Sequence, residues 1–318
     1  MERPILSARG AAGYLEALDN VLLLTHVRPD GDTIGSAAAL CRALQDCGQT
    51  AYLLPNPEIT ATYAPYAAPY WAPEDWQAEH IVSVDIADAS LLPENAQSYR
   101  DRIELAIDHH PSQTFFARNT CLEADSAACG EIVYEIIQHL TALTADIALP
   151  LYVAVSTDCG GFQYGNTTAR THRIAAALMD VVDVAAVNKT LFRTKSRVRL
   201  AMESRMVADM KLFDHQRVVV MEIPLSLRQE MQATDADIEE LSALPALVEG
   251  TDCGVTLREL RPGTVKVSVR TGPRVDACAL CRILGGGGHH AASGATVEGT
   301  LDEARMAVLA AYRKVIGA

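Results

Sequence analysis

The residues best suited to chemistry lie in four short loops, each following an apolar segment. The first, Thr25-His-Val-Arg-Pro-Asp-Gly-Asp-Thr-Ile-Gly-Ser36, sets His26, Asp30 and Asp32 around Gly31 and runs into a helical stretch. The second, Val84-Asp-Ile-Ala-Asp88, carries Asp85, and the third, Ile107-Asp-His-His-Pro111, carries Asp108, His109 and His110. The fourth, Ser156-Thr-Asp-Cys-Gly-Gly-Phe162, carries Asp158. Taken singly, several have plain structural explanations: Asp32 or Thr33 could cap a helix, and Asp85 could cap a loop. Two histidines beside an acid at the end of an apolar strand have no packing rationale, and neutral imidazole is a common transition-metal ligand. Together the loops point to a metal site. Carboxylates and imidazoles without thiolate suit Mn²⁺ or a related ion better than Mg²⁺ alone or a structural zinc. Such a set divides naturally between two ions about 3.5–4 Å apart, bridged by a carboxylate and by a water or hydroxide whose oxygen is the nucleophile.

Positioning these loops requires a particular kind of scaffold. Val21–Thr25, Ala51–Leu54, Ile81–Val84 and Ile103–Ile107 read as buried strands, and Thr33–Asp46 and Ser126–Leu143 as helices. Repeated β-then-α order predicts an α/β fold, a parallel sheet with helices on both faces. Ligands of such sheets gather at the carboxyl ends of the strands, where all four loops are expected. Pro55–Pro73, with five prolines, reads as an irregular excursion. Residues 195–213 are amphipathic, with Val198, Met202, Met206 and Met210 near helical spacing. Beyond them Arg217–Met221 and Thr264–Val269 read as strands and Leu301–Ile316 as a closing helix of a smaller α/β domain. The expected division is a first domain over 1–194, a helical linker over 195–212 and a second domain over 213–318.

The 318 residues are enough for two cores, and 49% apolar with 21% charged is an ordinary globular balance. No run of about 18 apolar residues suggests a membrane span, and no signal-peptide pattern opens the chain, so a cytoplasmic protein is expected. The eight cysteines are expected as buried, reduced thiols, since the single CxxC (Cys278, Cys281) lacks the second pair a structural zinc site needs. A net charge of −13 disfavours long duplex nucleic acid. Eight basic residues between Lys189 and Arg217, and six between Arg258 and Arg282, instead fit a small anionic substrate.

The four loops resemble motifs I to IV of the DHH phosphoesterase superfamily, named for the Asp-His-His found here at 108–110. Gly285-Gly-Gly-Gly-His-His-Ala-Ala-Ser-Gly294 resembles the glycine-rich signature of its DHHA1 substrate domain, and Val267-Ser-Val-Arg270-Thr the segment that precedes it. The match spans essentially the whole chain, and its two-domain size resembles the nanoRNase/pAp-phosphatase group. This resemblance implies that His26, Asp30 and Asp85 hold one ion, and that Asp32, Asp85, His109 and Asp158 hold the other. It places His110 against the scissile phosphate with Asp108 orienting its neighbours, and assigns Arg270, Gly286, Gly287, Gly288 and His289 to a pocket for a terminal phosphate. Cys159 and Thr271 depart from the usual pattern without removing a ligand. The implied activity is metal-dependent hydrolysis of short RNA or DNA oligonucleotides to nucleoside 5′-monophosphates, with 3′-phosphatase action on pAp. The ions expected are manganese first, with magnesium or cobalt as alternatives, and a homodimer is compatible with this reading. The alternatives are a phosphodiesterase of cyclic dinucleotides or of linear pApA and pGpG, and a nucleotide-binding sensor without turnover.

Overall fold

The apolar runs expected as strands pair side by side in the computed structural model, which describes residues 4–317. Strands β1 (Val21–Leu24), β2 (Ala51–Leu53), β3 (His80–Val84), β4 (Ile103–Asp108) and β5 (Asn119–Leu122) form one parallel sheet in the order β2-β1-β3-β4-β5. Alternate residues serve two cores: Val21 and Leu23 pack into one, Leu22 and Leu24 into the other. Burial on both faces explains why these strands read as unbroken apolar runs. The long helices Ala8–Glu16, Gly31–Asp46 and Cys129–Leu140 contribute to the first core. The other core is completed by short 3₁₀ helices, Ala89–Leu91 and Glu94–Arg102, through Ala89, Leu92 and Ala96. β5 was not anticipated, because Asn-Thr-Cys-Leu has no apolar run to mark it.

One expectation is overturned here. Asp158 does not follow a strand; it ends the helix Ala145–Asp158. Residues 147, 148 and 150–156 of that helix are all buried, so it lacks the polar face that gives a helix its period, and Pro150 within it obscures the pattern further. Close approach by glycines lets this helix reach the sheet's ligand-bearing end. A Cβ on Gly35 would lie 2.2 Å from the carbonyl oxygen of Pro150, and one on Gly31 would lie 2.3 Å from Thr157 Oγ1.

The chain divides after Thr194 into two compact units. The second contains a mixed six-stranded sheet in the order β10-β11-β9-β8-β7-β6. Its strands are β6 (Lys211–Phe213), β7 (Val218–Ile223), β8 (Cys253–Arg261), β9 (Thr264–Thr271), β10 (Gly287–Gly288) and β11 (Ala292–Glu298). Val218, Val220, Val255 and Val267 pack with the helices Ala277–Ile283 and Leu301–Ile316. Val219 and Met221, on the opposite face of β7, pack with Met202 and Met206. Residues 195–212, expected as a linker, therefore belong to the second unit: the helix Arg197–Ala208 buries its methionine stripe there.

All eight cysteines are free and six are buried, whereas Cys47 is exposed and Cys278 half-buried. Among the described residues no helix is long and apolar enough to cross a membrane.

Gly35→Ala should destabilise the first unit by about 1–3 kcal/mol, because the new methyl meets backbone rather than a movable side chain. Gly13→Ala, in the helix Ala8–Glu16 with open space around it, should leave stability unchanged or raise it by up to about 1 kcal/mol. Thermal or urea unfolding of both variants checks the contrast.

Candidate metal centre

The carboxyl ends of three adjacent strands, β1, β3 and β4, open onto one place. His26 follows β1, Asp85 follows β3, and Asp108 ends β4 just before His109 and His110. The order 2-1-3-4-5 reverses between β1 and β3, which is where doubly wound sheets place their ligands.

Asp30 is the N-cap of the helix Gly31–Asp46, its Oδ1 accepting hydrogen bonds from the N–H groups of Asp32 and Thr33. Asp32, in the first turn of that helix, is buried and points at the start of another helix. Its Oδ2 accepts from Cys129 N (2.7 Å), and its Oδ1 from Gly130 N (2.9 Å) and Ser36 Oγ (3.0 Å). The N–H groups and partial positive charge at that helix start offset part of the cost of burying a carboxylate.

Asp85 lies between the two histidines that face this space. Its Oδ2 is 3.8 Å from His26 Nε2, and its Oδ1 is 3.6 Å from His109 Nε2. His26 Nε2 is also 3.6 Å from Asp30 Oδ1, and His109 Nε2 is 3.8 Å from both Asp32 Oδ2 and Asp158 Oδ2. These separations are too long for hydrogen bonds. The far side of each ring is engaged: His26 Nδ1 meets Val27 O at 2.8 Å, and His109 Nδ1 meets Ser126 O at 3.1 Å. A carbonyl only accepts, so Nδ1 carries the proton in each neutral ring and Nε2 presents a lone pair to the carboxylates. That is the tautomer a metal ligand needs.

The electrostatics agree. Burial, reinforced by Asp158 and Asp30, pushes the Asp32 carboxyl well above the usual carboxylate range. Burial, reinforced by Asp32 and Asp30, does the same to Asp85. Asp158 is also raised, chiefly by burial, with His109 partly opposing the shift. For His26, burial alone would lower the pKa, but the neighbouring Asp30 carboxylate outweighs it and the value rises. The site attracts positive charge. Asp85 Oδ1 is buried and has no hydrogen-bond partner among the described residues, and the Asp85 backbone is left-handed (φ +61°). The sets His26–Asp30–Asp85 and Asp32–His109–Asp158 each bring donor atoms close enough to hold an ion. The donors, the unpartnered oxygen and the crowded carboxylates all fit cations.

Asp85, His109 and His110 form a third such set, but His110 is committed elsewhere. Its Nδ1, 3.6 Å from Asp85 Oδ1, lies 2.8 Å from Asp108 Oδ1, and that hydrogen bond raises its pKa against the opposing effect of burial. Asp108, fully buried, also accepts from the N–H groups of His109 and His110 and from Gln113 Nε2 (2.7 Å).

Comparison with known proteins shows the family of the chain. Residues 20–155 match the DHH family, N-terminal domain. The bifunctional oligoribonuclease and PAP phosphatase NrnA of Thermus thermophilus is 32% identical over 313 residues, 96% of this chain and 93% of the relative. The chain belongs to the DHH family. The protein of the same description from Bacillus subtilis is 24% identical over 288 residues, 88% of this chain and 90% of the relative. The crystal structure of an exopolyphosphatase-related protein from Bacteroides fragilis shares the fold, with a TM-score of 0.87 at 21% identity, covering 98% of this chain and 96% of that one.

The eight residues singled out in the first unit of this DHH chain thus converge. Those singled out in the second unit form a separate group: Arg270 on β9 pairs with Ala292 of β11, and Gly287 and Gly288 pair with Gly294 and Ser293 of the same strand. Arg270 makes no ion pair among the described residues; its one hydrogen bond goes to Val269 O. In the basic stretch before it, by contrast, Lys195, Arg205, Lys211 and Arg217 are paired with Glu203, Asp209, Glu222 and Asp252. The glycines differ from expectation in part, because the N–H of Gly286 is already donated to Cys281 O.

Several contributors have no sequence signal of their own. Gln113 links Asp108 to Ile86 O, Asn56 Nδ2 holds the carbonyl of His26, and Asn166 Nδ2 bridges the carbonyls of Ala127 and Asp158.

Asp108→Asn should lower the pKa of His110, since it removes the charge and the hydrogen bond that raise it. An NMR titration of the imidazole in the metal-free chain reads this directly, and an unchanged midpoint would overturn the assignment.

Proposed function

We propose that this DHH-family chain uses two divalent ions to hydrolyse short oligonucleotides to nucleoside 5′-monophosphates, and that it also removes the 3′-phosphate of pAp. It is a phosphoester hydrolase. The relatives named as bifunctional oligoribonuclease and PAP phosphatase, one of them similar along nearly the full chain, support this substrate class. The observation that carries the reading is Asp85. Its buried carboxylate lies between two bare imidazole nitrogens, with one oxygen lacking any hydrogen-bond partner among the described residues.

In this reading His26, Asp30 and Asp85 hold one ion, and Asp32, Asp85, His109 and Asp158 hold the other, with manganese suited to the mixed imidazole and carboxylate donors. Ions held there supply Lewis acidity to the phosphoryl oxygens and lower the pKa of the attacking water.

The protein's own groups do the rest. Asp108 keeps His110 Nδ1 engaged and favours the imidazolium. His110 Nε2–H can then donate to the charged phosphoryl or leaving oxygen as negative charge develops. In the second unit Arg270, with no ion pair among the described residues, supplies a fork of donors for a terminal phosphate, with the exposed His289 beside the glycine hairpin as a further contact. The net charge of −13 favours short substrates over long duplexes.

A substrate panel tests the reading. With Mn²⁺, di- and trinucleotides and pAp should be hydrolysed faster than pyrophosphate or cyclic di-AMP; intact di- and trinucleotides would sink the proposal. Asp85→Ala should lose both ions and nearly all activity, which metal analysis of the purified variant checks alongside turnover. Arg270→Ala should raise KM for substrates with a terminal phosphate by roughly tenfold or more while changing kcat little, the expected loss of a charged hydrogen bond.

A further inference from the structure

Two elements of the candidate centre, His109 and Asp32, are held in part by the backbone of one short segment. The carbonyl of Ser126 accepts from His109 Nδ1 (3.1 Å), and the N–H groups of Cys129 and Gly130 donate to Asp32. A third tie runs through Asn166 Nδ2, which donates to both Ala127 O (2.9 Å) and Asp158 O (3.1 Å). Residues 126–130 thus touch His109 and Asp32 directly and Asp158 through one amide. A shift of this segment would move three of the candidate ligands together.

What holds the segment is a partly buried ionic cluster on its far side, with Glu131 at its buried end. Arg170, in the first turn of the helix Ala169–Met179, donates from Nη1 to Glu123 Oε2 (2.9 Å) and to Ser126 Oγ (3.1 Å). Its Nη2 is in ion-pair contact with Glu135 (2.7 Å), though without hydrogen-bond geometry, and its Nε lies 3.7 Å from Glu131 Oε2. Glu131 is only 1% exposed. It accepts from Thr171 Oγ1 (2.6 Å) and from the N–H of Ala127 (3.3 Å). Ser126 Oγ in turn donates to Glu123 Oε2 (3.1 Å). One guanidinium therefore faces three carboxylates and the Ser126 hydroxyl. Without it, Glu131 would be a buried charge with too little compensation, and the segment it anchors would have to move or take up water.

We propose that Arg170 is a positioning residue of the metal centre, acting through Glu123, Glu131 and the backbone of residues 126–130 to set His109 and Asp32. This rests on the function proposed above. Removal of groups that orient metal ligands typically costs 10–100-fold in metal affinity, and a loss of that size is expected here.

The test is calorimetric titration of the full-length, metal-free chain with MnCl₂, beside dinucleotide turnover at limiting and saturating Mn²⁺. Arg170→Gln should bind Mn²⁺ about 10–100-fold more weakly and recover part of its turnover when the metal is raised. Arg170→Lys should fall between it and the wild type, because an ammonium keeps the charge but not the fork. Glu104→Gln is the stability control. Glu104 lies near the start of β4, away from the Asp108 end, and accepts from Tyr14 and His80. Its loss should lower the unfolding temperature without changing Mn²⁺ affinity. Should Arg170→Gln not fold, Ser126→Ala removes one hydroxyl and no buried charge, and should still weaken Mn²⁺ binding several-fold. Affinity within about twofold of wild type in the folded variants overturns the role of Arg170 alone. A wild-type chain that takes up no Mn²⁺ overturns the proposed function as well.

Discussion

Asp32 and Asp85 are buried within reach of the same imidazole, and most of the first unit's construction can be traced to the cost of keeping them there. Buried carboxylates in mutual repulsion favour protonation unless positive charge is supplied. The fold supplies it unequally. Asp32 receives two N–H groups from the start of a helix and a serine hydroxyl. Asp85 keeps one oxygen with no partner among the described residues. A fold that leaves a buried carboxylate incompletely compensated is one prepared for a cation.

That constraint explains the local geometry around it. The left-handed backbone at Asp85, a conformation that costs a non-glycine residue about 1–3 kcal/mol, turns the chain at the end of β3. The N–H of Asp85 remains bonded to Ile107 O across the sheet, so the turn is held rather than loose. The histidines are oriented from behind by carbonyls, which leaves Nε2 of each ring facing the carboxylates. The helix bearing Asp158 can come close because the helix facing it presents glycine where a side chain would meet backbone.

The second unit shows how one residue type can have two causes. The glycines after Ile283 look in sequence like a phosphate cradle, yet several are required by packing alone. A Cβ on Gly286 would lie 2.1 Å from Gly294 O, and Gly288 has a φ of +145° against Ser293. These needs come from the hairpin between β10 and β11 and do not conflict with ligand binding. Under the proposed function, anion recognition would rest less on Gly286, whose N–H is committed, than on Arg270, which makes no ion pair among the described residues.

The residues that converge in the first unit were legible in the sequence. Acids and histidines placed directly after apolar runs stand out against the ordinary demands of packing, and in a parallel sheet the ends of neighbouring strands must converge. His26, Asp85, Asp108, His109 and His110 are found where that logic puts them. The element carrying Asp158 was not legible, because a helix buried on every side has no periodicity to betray it. Nor were β5, the place of residues 195–212 in the second unit, or the residues that hold the converging side chains. Gln113, Asn166 and Arg170 have ordinary local surroundings, and Ser126 contributes a carbonyl that every residue possesses. The sequence by itself determined which groups could bind and react, since that depends on residue type and near neighbours. Only the tertiary structure decided how they are held, because the holding contacts join segments dozens of residues apart and leave no pattern in either one.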